Sequence, residues 1–275
     1  MTRLSILLLL AVSVSVHAQN LAEVLKPKLE GKVLQLRTPD PSKELEFDSS
    51  GSPKHQSVHG LISLDSHVLV KKVELKGKDL VIRGERMAMS WNEDKRAIEF
   101  GDINIPVTVK IALEKASATT ESEFASVFFK VFLNDEERNQ HSCSEEGSRA
   151  FFDATRIADK KKGSARPTDM VTVCFPSGYQ ARRVDAQMTA PRAVYAQDPE
   201  YSMAARQKKI QGTAVILTAI DEHGIVEDAI LIRSVDPSLN YSSLAAIRDW
   251  RFRPATLDGK PVACAVKIDV NFRLY

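Results

Sequence analysis

The sequence has few cysteines and no marked excess of either charge. Three cysteines in 275 residues are too few for the disulfide-dense class of small secreted proteins. The formal net charge of +2 gives no overall electrostatic reason to expect nucleic acid as a partner. The chain also lacks a Gly-x-Ser-x-Gly elbow, a phosphate-binding loop and a dinucleotide fingerprint. These absences predict a protein that is not an enzyme and uses no cofactor.

Long apolar runs are also scarce, and the clearest one lies at the N-terminus. Arg3 supplies a positive charge, Leu4 to Val16 are apolar apart from three serines, and Val16-His17-Ala18 fits a secretory cleavage site. A membrane-spanning helix needs about 20 apolar residues, so this run is too short. Residues 1–18 are therefore predicted to be a signal peptide, and the mature chain to be exported and soluble. If the N-terminus is not cleaved, it is a short membrane anchor instead.

Export to an oxidising compartment predicts one disulfide and one remaining thiol among the three cysteines. Cys264 falls on the apolar face of the last predicted strand, so we interpret it as the buried, unpaired cysteine. Cys143 and Cys174 are then the predicted disulfide. The alternative is that all three cysteines are reduced.

Residues 19–180 are predicted to form a strand-rich domain with one helix. From Ile103 to Leu113 apolar residues alternate with others, as in a strand with one face in water. Pro106 cannot donate a ladder hydrogen bond, which favours an edge or bulged strand. Earlier strands are predicted at Val33–Arg37, Leu45–Asp48, Val68–Leu75 and Leu80–Gly84.

The helix of this half is predicted from Thr120 to Leu133. Its apolar residues follow the i, i+3, i+4 rule, so one face should cover a small antiparallel sheet. Asn134-Asp135 should end it. The residues of this face are Phe124, Val127, Phe128, Val131 and Phe132.

Residues 181–190 carry charge without an apolar period, and we predict a linker there, followed by a domain at 191–275. Its predicted order is α-β-β-α-β, with a three-stranded antiparallel sheet and helices on one face. Together the two halves predict the α+β class. A helix begins near Asp236-Pro237-Ser238 and should end at Arg253-Pro254, because the residue before proline avoids helical geometry.

The last strand has the most regular alternation in the chain. Apolar residues from Val262 to Leu274 occupy one parity, which places them on one face of the strand. The opposite face carries Lys267, Asp269, Asn271, Arg273 and Tyr275.

The motifs of residues 191–275 have a characteristic order. An aromatic start and an alanine helix precede a glycine before the first strand, a hairpin turn, an aromatic-proline motif and a final turn. They are Pro199-Glu200-Tyr201, Ala204-Ala205, Gly212, Asp221-Glu222-His223-Gly224, Trp250-Arg251-Phe252-Arg253-Pro254-Ala255 and Asp258-Gly259-Lys260-Pro261-Val262. This order resembles the C-terminal domain of the TonB family.

The resemblance implies that Gly212, Gly224, Trp250, Phe252, Pro254, Gly259 and Pro261 are the family's structural positions. It also implies a periplasmic protein that binds an extended peptide of an outer-membrane transporter or another envelope protein. An exposed edge strand accepts further strands, so we expect the peptide to add to the last strand. Lys267, Asp269, Asn271 and Arg273 should flank it. The same edge could instead pair with a second copy in a homodimer.

Two features of the family are not found in the sequence. TonB proteins have an uncleaved inner-membrane helix and a long proline-rich spacer. This chain has 12 prolines and no proline-rich tract, and its N-terminal apolar run is short. We therefore expect the peptide-binding end without the anchor and the rod.

The strand-rich half carries the alternative function, that of an enzyme or metal-binding protein with a docking domain. His55, His59 and His67 form a histidine cluster, and His141 with Cys143 offers two more ligands. Ser52-Pro53 and Gly60 indicate a loop there rather than a helical metal motif, so no metal site is predicted.

Overall fold

The computed structural model describes residues 21–92, 94–95, 97–114, 121–140, 172–175 and 177–274. The predicted signal peptide, Cys143 and His141 lie outside these residues. The chain is of the mixed α+β class and consists mostly of strands, as predicted. No helix in these ranges is long and apolar enough to cross a membrane.

The chain divides into two compact units, and each is described by itself. The first contains residues 1–87 and 102–140, and the second contains residues 88–101 and 141–275. The predicted linker, 181–190, lies inside the second unit and contains two short strands. The segment gives no apolar period because its strands are only four and two residues long.

The first unit begins with a helix that the strand interpretation missed. Leu21, Leu25 and Leu29 are buried at helical spacing in this helix, although Pro27 lies inside it. The helices of the unit are α1 (Leu21–Leu29), α2 (Ile62–Asp65), α3 (Glu121–Val131) and α4 (Asp135–Gln140). Its strands are β1 (Val33–Gln35), β2 (Glu44–Phe47), β3 (His67–Lys76) and parts of β4 (Asp79–Asn92) and β5 (Ala97–Ala112).

The sheet of the first unit is mixed rather than antiparallel throughout. β1 pairs with β3 and β3 with β4, both antiparallel, whereas β2 pairs with β5 in parallel. Asn104, with φ 54°, interrupts regular strand geometry two residues before Pro106.

The phenylalanine face of α3 packs as predicted. The rings of Phe124 and Phe128 lie 5.2 Å apart, and those of Phe128 and Phe132 lie 4.8 Å apart. All three join the core with Val68, Val70, Ile82 and other strand residues. After α3 the chain forms α4, where the Asn134 side chain accepts from the Glu137 amide at 2.8 Å. Helix α3 thus ends before Asn134-Asp135, and Asp135 begins α4.

The second unit contains the predicted C-terminal elements and several more. Its helices are α5 (Met203–Gln207) and α6 (Pro237–Asp249). Its strands are β6 (Thr172–Cys174), β7 (Gln180–Arg183), β8 (Met188–Thr189), β9 (Arg192–Tyr195), β10 (Gly212–Ile220), β11 (Val226–Arg233), β12 (Arg251–Arg253), β13 (Ala255–Leu257), β14 (Lys260–Val262) and β15 (Cys264–Phe272).

The three predicted strands lie side by side in the order β11-β10-β15, antiparallel to one another. They are not alone in their sheet. β7 joins β15 in parallel, and β4 joins β11 through the single pair Ser90 and Leu231. The predicted three-stranded sheet is thus the centre of a wider one.

Helix α6 ends earlier than predicted. It stops at Asp249, and Trp250 is extended, with φ −66° and ψ 153°. Arg253-Pro254 was therefore wrong as the end of the helix. The extended conformation begins sooner because the backbone of Arg251–Arg253 pairs with β9.

Both faces of β10 and β11 are covered. Leu239, Leu244 and Ile247 are the buried apolar side chains of α6, which packs on β11 and β10. On the other face, residues of the β4–β5 hairpin and of the β6–β7 hairpin form an apolar core with β10 and β11. The core contains Met89, Trp91, Val173, Phe175, Ala181, Val215, Leu217, Ala219, Ile230, Ile232 and Ala265.

Candidate functional site

The last strand, β15, is the element on which the predicted binding site depends. It pairs with β10 without interruption from Phe272 opposite Gly212 to Cys264 opposite Ile220. Cys264, Val270 and Phe272 are buried, and Ile268 is partly buried. Lys267, Asp269, Asn271 and Arg273 are exposed, so the predicted alternation is confirmed.

The outer edge of β15 is occupied only at its beginning. The amide of Arg182 donates to the carbonyl of Ala263 at 3.2 Å, and the amide of Val184 donates to the carbonyl of Ala265 at 3.4 Å. The β7 register then ends at Ala265. From Val266 onward, no strand in the described ranges pairs with this side of β15.

These two bonds show to which side of β15 each backbone N–H and C=O group points. In a strand paired antiparallel on one side, the N–H and C=O of alternate residues point to alternate sides. Since the carbonyls of Ala263 and Ala265 point to the outer edge, the odd-numbered residues that follow do so as well. The outward residues are Lys267, Asp269, Asn271 and Arg273, the four that the sequence analysis singled out.

The four side chains differ in what surrounds them. Asn271 lies opposite Thr213, and its Oδ1 accepts from the Thr213 hydroxyl at 2.6 Å. Asp269 lies opposite Val215, which belongs to the apolar core that the two hairpins form with β10 and β11. The hairpins that cover this face of the sheet thus bury Ala265 but leave Asp269 and Asn271 exposed.

The structural motif residues hold the hairpin and the segment after α6. Gly224 has φ +84°, and a Cβ there would lie 1.8 Å from the carbonyl oxygen of Phe252. Its own carbonyl accepts from the Phe252 amide at 2.9 Å, and the Phe252 side chain is buried. The indole Nε1 of Trp250 donates to the carbonyl of Gln197 at 2.9 Å. Trp250 is half-buried.

The remaining motif residues lie in turns and short strands. At Gly212 a Cβ would come within 3.0 Å of Val235 Cγ1. Gly259 has φ +77° and follows Asp258 at φ 51°, so both central residues of the β13–β14 turn have positive φ. Pro254 precedes β13, and Pro261 lies in β14 opposite Thr256. None of these positions lies in β15 itself.

The histidine cluster does not assemble in the structure. His55 and His59 are exposed, whereas His67 is buried at the start of β3. Burial lowers the pKa of His67 to about 4, and its Nδ1 lies 2.9 Å from the Ser66 hydroxyl. Among the described residues, a possible metal-binding group occurs at Asp221, Glu222 and His223 instead. There the Asp221 Oδ1 already accepts from the amides of His223 and Ile225.

Two cysteines lie within the described residues. Cys264 is free and buried, as predicted, and burial raises the pKa of its thiol to about 11. Cys174 is buried in β6. The pairing of Cys174 with Cys143 stays a prediction because Cys143 lies outside the described residues.

Comparison with known proteins identifies part of this unit. Residues 197–274 match the family model of the Gram-negative bacterial TonB protein C-terminal. These residues form a TonB C-terminal domain. The chain is 37% identical over 86 residues to Protein TonB of Vibrio cholerae. The matched region is 30% of this chain and 35% of that protein.

A second relative is Protein TonB of Xanthomonas campestris, 30% identical over 77 residues, or 28% of this chain and 34% of that protein. The chain thus spans about a third of the length of the curated TonB relatives it matches. The solution NMR structure of the Pseudomonas aeruginosa TonB CTD is 24% identical and covers 33% of this chain and 89% of that one. Its TM-score is 0.28.

Proposed function

We propose that this chain is an exported periplasmic protein whose TonB C-terminal domain binds an extended peptide of an outer-membrane transporter. The observation that carries the proposal is the outer edge of β15 from Asp269 onward, with which no strand among the described residues pairs. The curated relatives named TonB support the assignment to envelope transport. On this proposal residues 191–275 carry the binding, and the protein is not an enzyme.

The bound peptide would extend the sheet by one strand. Its backbone would bond to the outward groups of Asp269, Asn271 and Arg273, with the Lys267 side chain beside it, where main-chain bonds give affinity and side chains give specificity. β7 already occupies the edge at Cys264 and Ala265, so the peptide's contacts begin beyond Ala265. The short β7 therefore limits where along β15 a peptide can bind.

Proline at Asp269 tests this mode. Asp269→Pro removes an amide that points outward and leaves the amides that bond to β10, which belong to even-numbered residues. Peptides from outer-membrane transporters would be titrated against the protein by fluorescence anisotropy. We expect Asp269→Pro to weaken binding by about tenfold or more, because it removes one edge bond and displaces its neighbours.

Asp269→Ala is the matched control, since it removes the same side chain and keeps the amide. It should change affinity much less than the proline variant, and both should retain the circular dichroism spectrum of the parent. If the proline variant folds and binds the peptide with unchanged affinity, β15 is not the recognition edge.

The same edge could pair with a second copy of this chain. Sedimentation velocity over a range of concentrations separates the two occupants. A peptide-binding edge predicts a monomer whose mass does not change on Asp269→Pro. A dimer that the proline variant converts to monomer would assign the edge to self-association instead.

The proposed periplasmic location depends on the signal peptide predicted at residues 1–18, which lie outside the described residues. N-terminal sequencing of the protein from a periplasmic extract should begin at or near Gln19. Recovery of an intact Met1 in the inner-membrane fraction would reverse the proposed cleavage and make the N-terminus an anchor.

A further inference from the structure

A second exposed strand pair lies in the same unit, in a sheet separate from that of β15. β9 pairs antiparallel with β12, and every residue of β9 is exposed. In β12, Phe252 is buried while Arg251 and Arg253 are exposed, so the two arginines point outward. We call β9 and β12 together the arginine ribbon.

The two strands place like charges opposite each other. Arg253 pairs directly with Arg192, and directly opposite residues of an antiparallel pair bring their side chains close together. In the part of the chain that the structure describes, neither arginine makes a salt bridge or a side-chain hydrogen bond. Like charges in this position destabilise a strand pair.

The rest of the ribbon adds a third arginine and apolar surface. Arg251 lies opposite Tyr195, and its guanidinium donates to the carbonyl of Trp250 at 2.7 Å. The neighbouring carboxylate of Asp249 is engaged by Arg248 at 3.2 Å. Tyr195 is 53% exposed and Val194 is 64% exposed. Among the described residues no strand pairs with the other edge of β9.

We propose that the arginine ribbon is a docking surface for an acidic, extended segment of a partner protein. Carboxylates would bridge Arg192 and Arg253 through charge-assisted, bidentate hydrogen bonds. The unpaired edge of β9 offers backbone donors and acceptors, and Val194 and Tyr195 offer apolar contact. An open strand edge next to apolar side chains fits a polypeptide better than a phosphate surface, which needs only the cations.

The test uses a synthetic peptide of alternating threonine and glutamate, labelled with fluorescein, and the purified protein. The variant is Arg192→Gln with Arg253→Gln. We expect it to bind the acidic peptide about tenfold more weakly than the parent, and added salt to weaken the parent's binding as well. A peptide of alternating threonine and lysine should not bind either protein.

Two controls make the result specific. Lys209→Gln with Arg233→Gln removes two exposed cations elsewhere in the unit and should leave the affinity unchanged. Asp269→Pro should also leave it unchanged, so the ribbon and the edge of β15 can fail independently. Equal loss in the Lys209 and Arg233 control, or unchanged affinity in the ribbon variant, would overturn the proposal. Binding to phosphatidylglycerol vesicles but not to the acidic peptide would overturn it too.

Discussion

Gly224 and Phe252 form a reciprocal backbone contact between the β10–β11 turn and β12. The Phe252 amide donates to the Gly224 carbonyl at 2.9 Å, and the Phe252 carbonyl oxygen lies where a Cβ of residue 224 would be, at 1.8 Å. A side chain at residue 224 therefore requires backbone to move, in addition to a positive φ that only glycine adopts easily. This contact joins the β10–β11 hairpin to β12, the strand that follows α6.

Gly224→Ala should destabilise the second unit more than Gly259→Ala. Both glycines have positive φ, which costs an alanine about 1–2 kcal/mol. At Gly259 nothing lies within 4 Å of the added carbon, whereas at Gly224 the clash with Phe252 adds to the strain. Urea unfolding of the two variants measures the difference. Equal losses would mean that the turn and β12 are not in contact.

His67 should make the first unit less stable in mild acid. Burial lowers the pKa of His67 from 6.5 to about 4, so the unfolded chain takes up a proton there before the folded chain does. The contribution is fully present above pH 6.5 and is lost as the pH falls toward 4. His67→Gln should flatten the dependence of the unfolding free energy on pH in this window. An unchanged slope would show that His67 is accessible to solvent.

Cys264 should have the opposite pH dependence. Burial raises the pKa of its thiol from 9.0 to about 11, so its stabilising contribution is present below pH 9 and lost as the pH rises toward 11. The difference in unfolding free energy between the parent and Cys264→Ala measures it. Alkylation by iodoacetamide at neutral pH should also be slow until the protein unfolds. Rapid alkylation of the folded protein would contradict the packing of β15.

Non-reducing peptide mapping of the exported protein should link Cys143 to Cys174. Bridging a loop of this size stabilises a fold by roughly 3–4 kcal/mol in the chain-entropy model. Reduction should therefore lower the unfolding midpoint, and Cys143→Ser should abolish that response. A map that places Cys264 in the disulfide would contradict both the pairing and the burial of Cys264.

The elements that could be predicted from sequence are those with a local pattern. The alternation of β15 and the helical spacing of Phe124, Phe128 and Phe132 each identify a buried face without knowledge of its partner. The leucines of α1 follow the same helical spacing, but Pro27 obscured it. Arg253, the residue before Pro254, is extended as the proline rule requires. However, the extended segment already begins before Arg253, because Arg251–Arg253 pairs with β9.

The elements that could not be predicted depend on contacts between distant residues. Met89 and Phe175 lie far from Leu217 in sequence, and no local period shows that they cover one face of the same sheet. The parallel pairing of Arg182 with Cys264 is equally non-local. This pairing shows which backbone groups of β15 point outward. The sequence could therefore suggest the residues of the site but not the direction in which their amides point.

Hydrogen exchange of the β15 amides tests the central claim most directly. In the protein alone, the amides of Ile268 and Val270 should be protected by β10, while those of Asp269 and Asn271 should exchange quickly. Adding a transporter peptide should slow exchange at Asp269 and Asn271 and change Ile268 and Val270 little. If the peptide binds while Asp269 and Asn271 exchange as quickly as before, the peptide does not add to this edge and the account is contradicted.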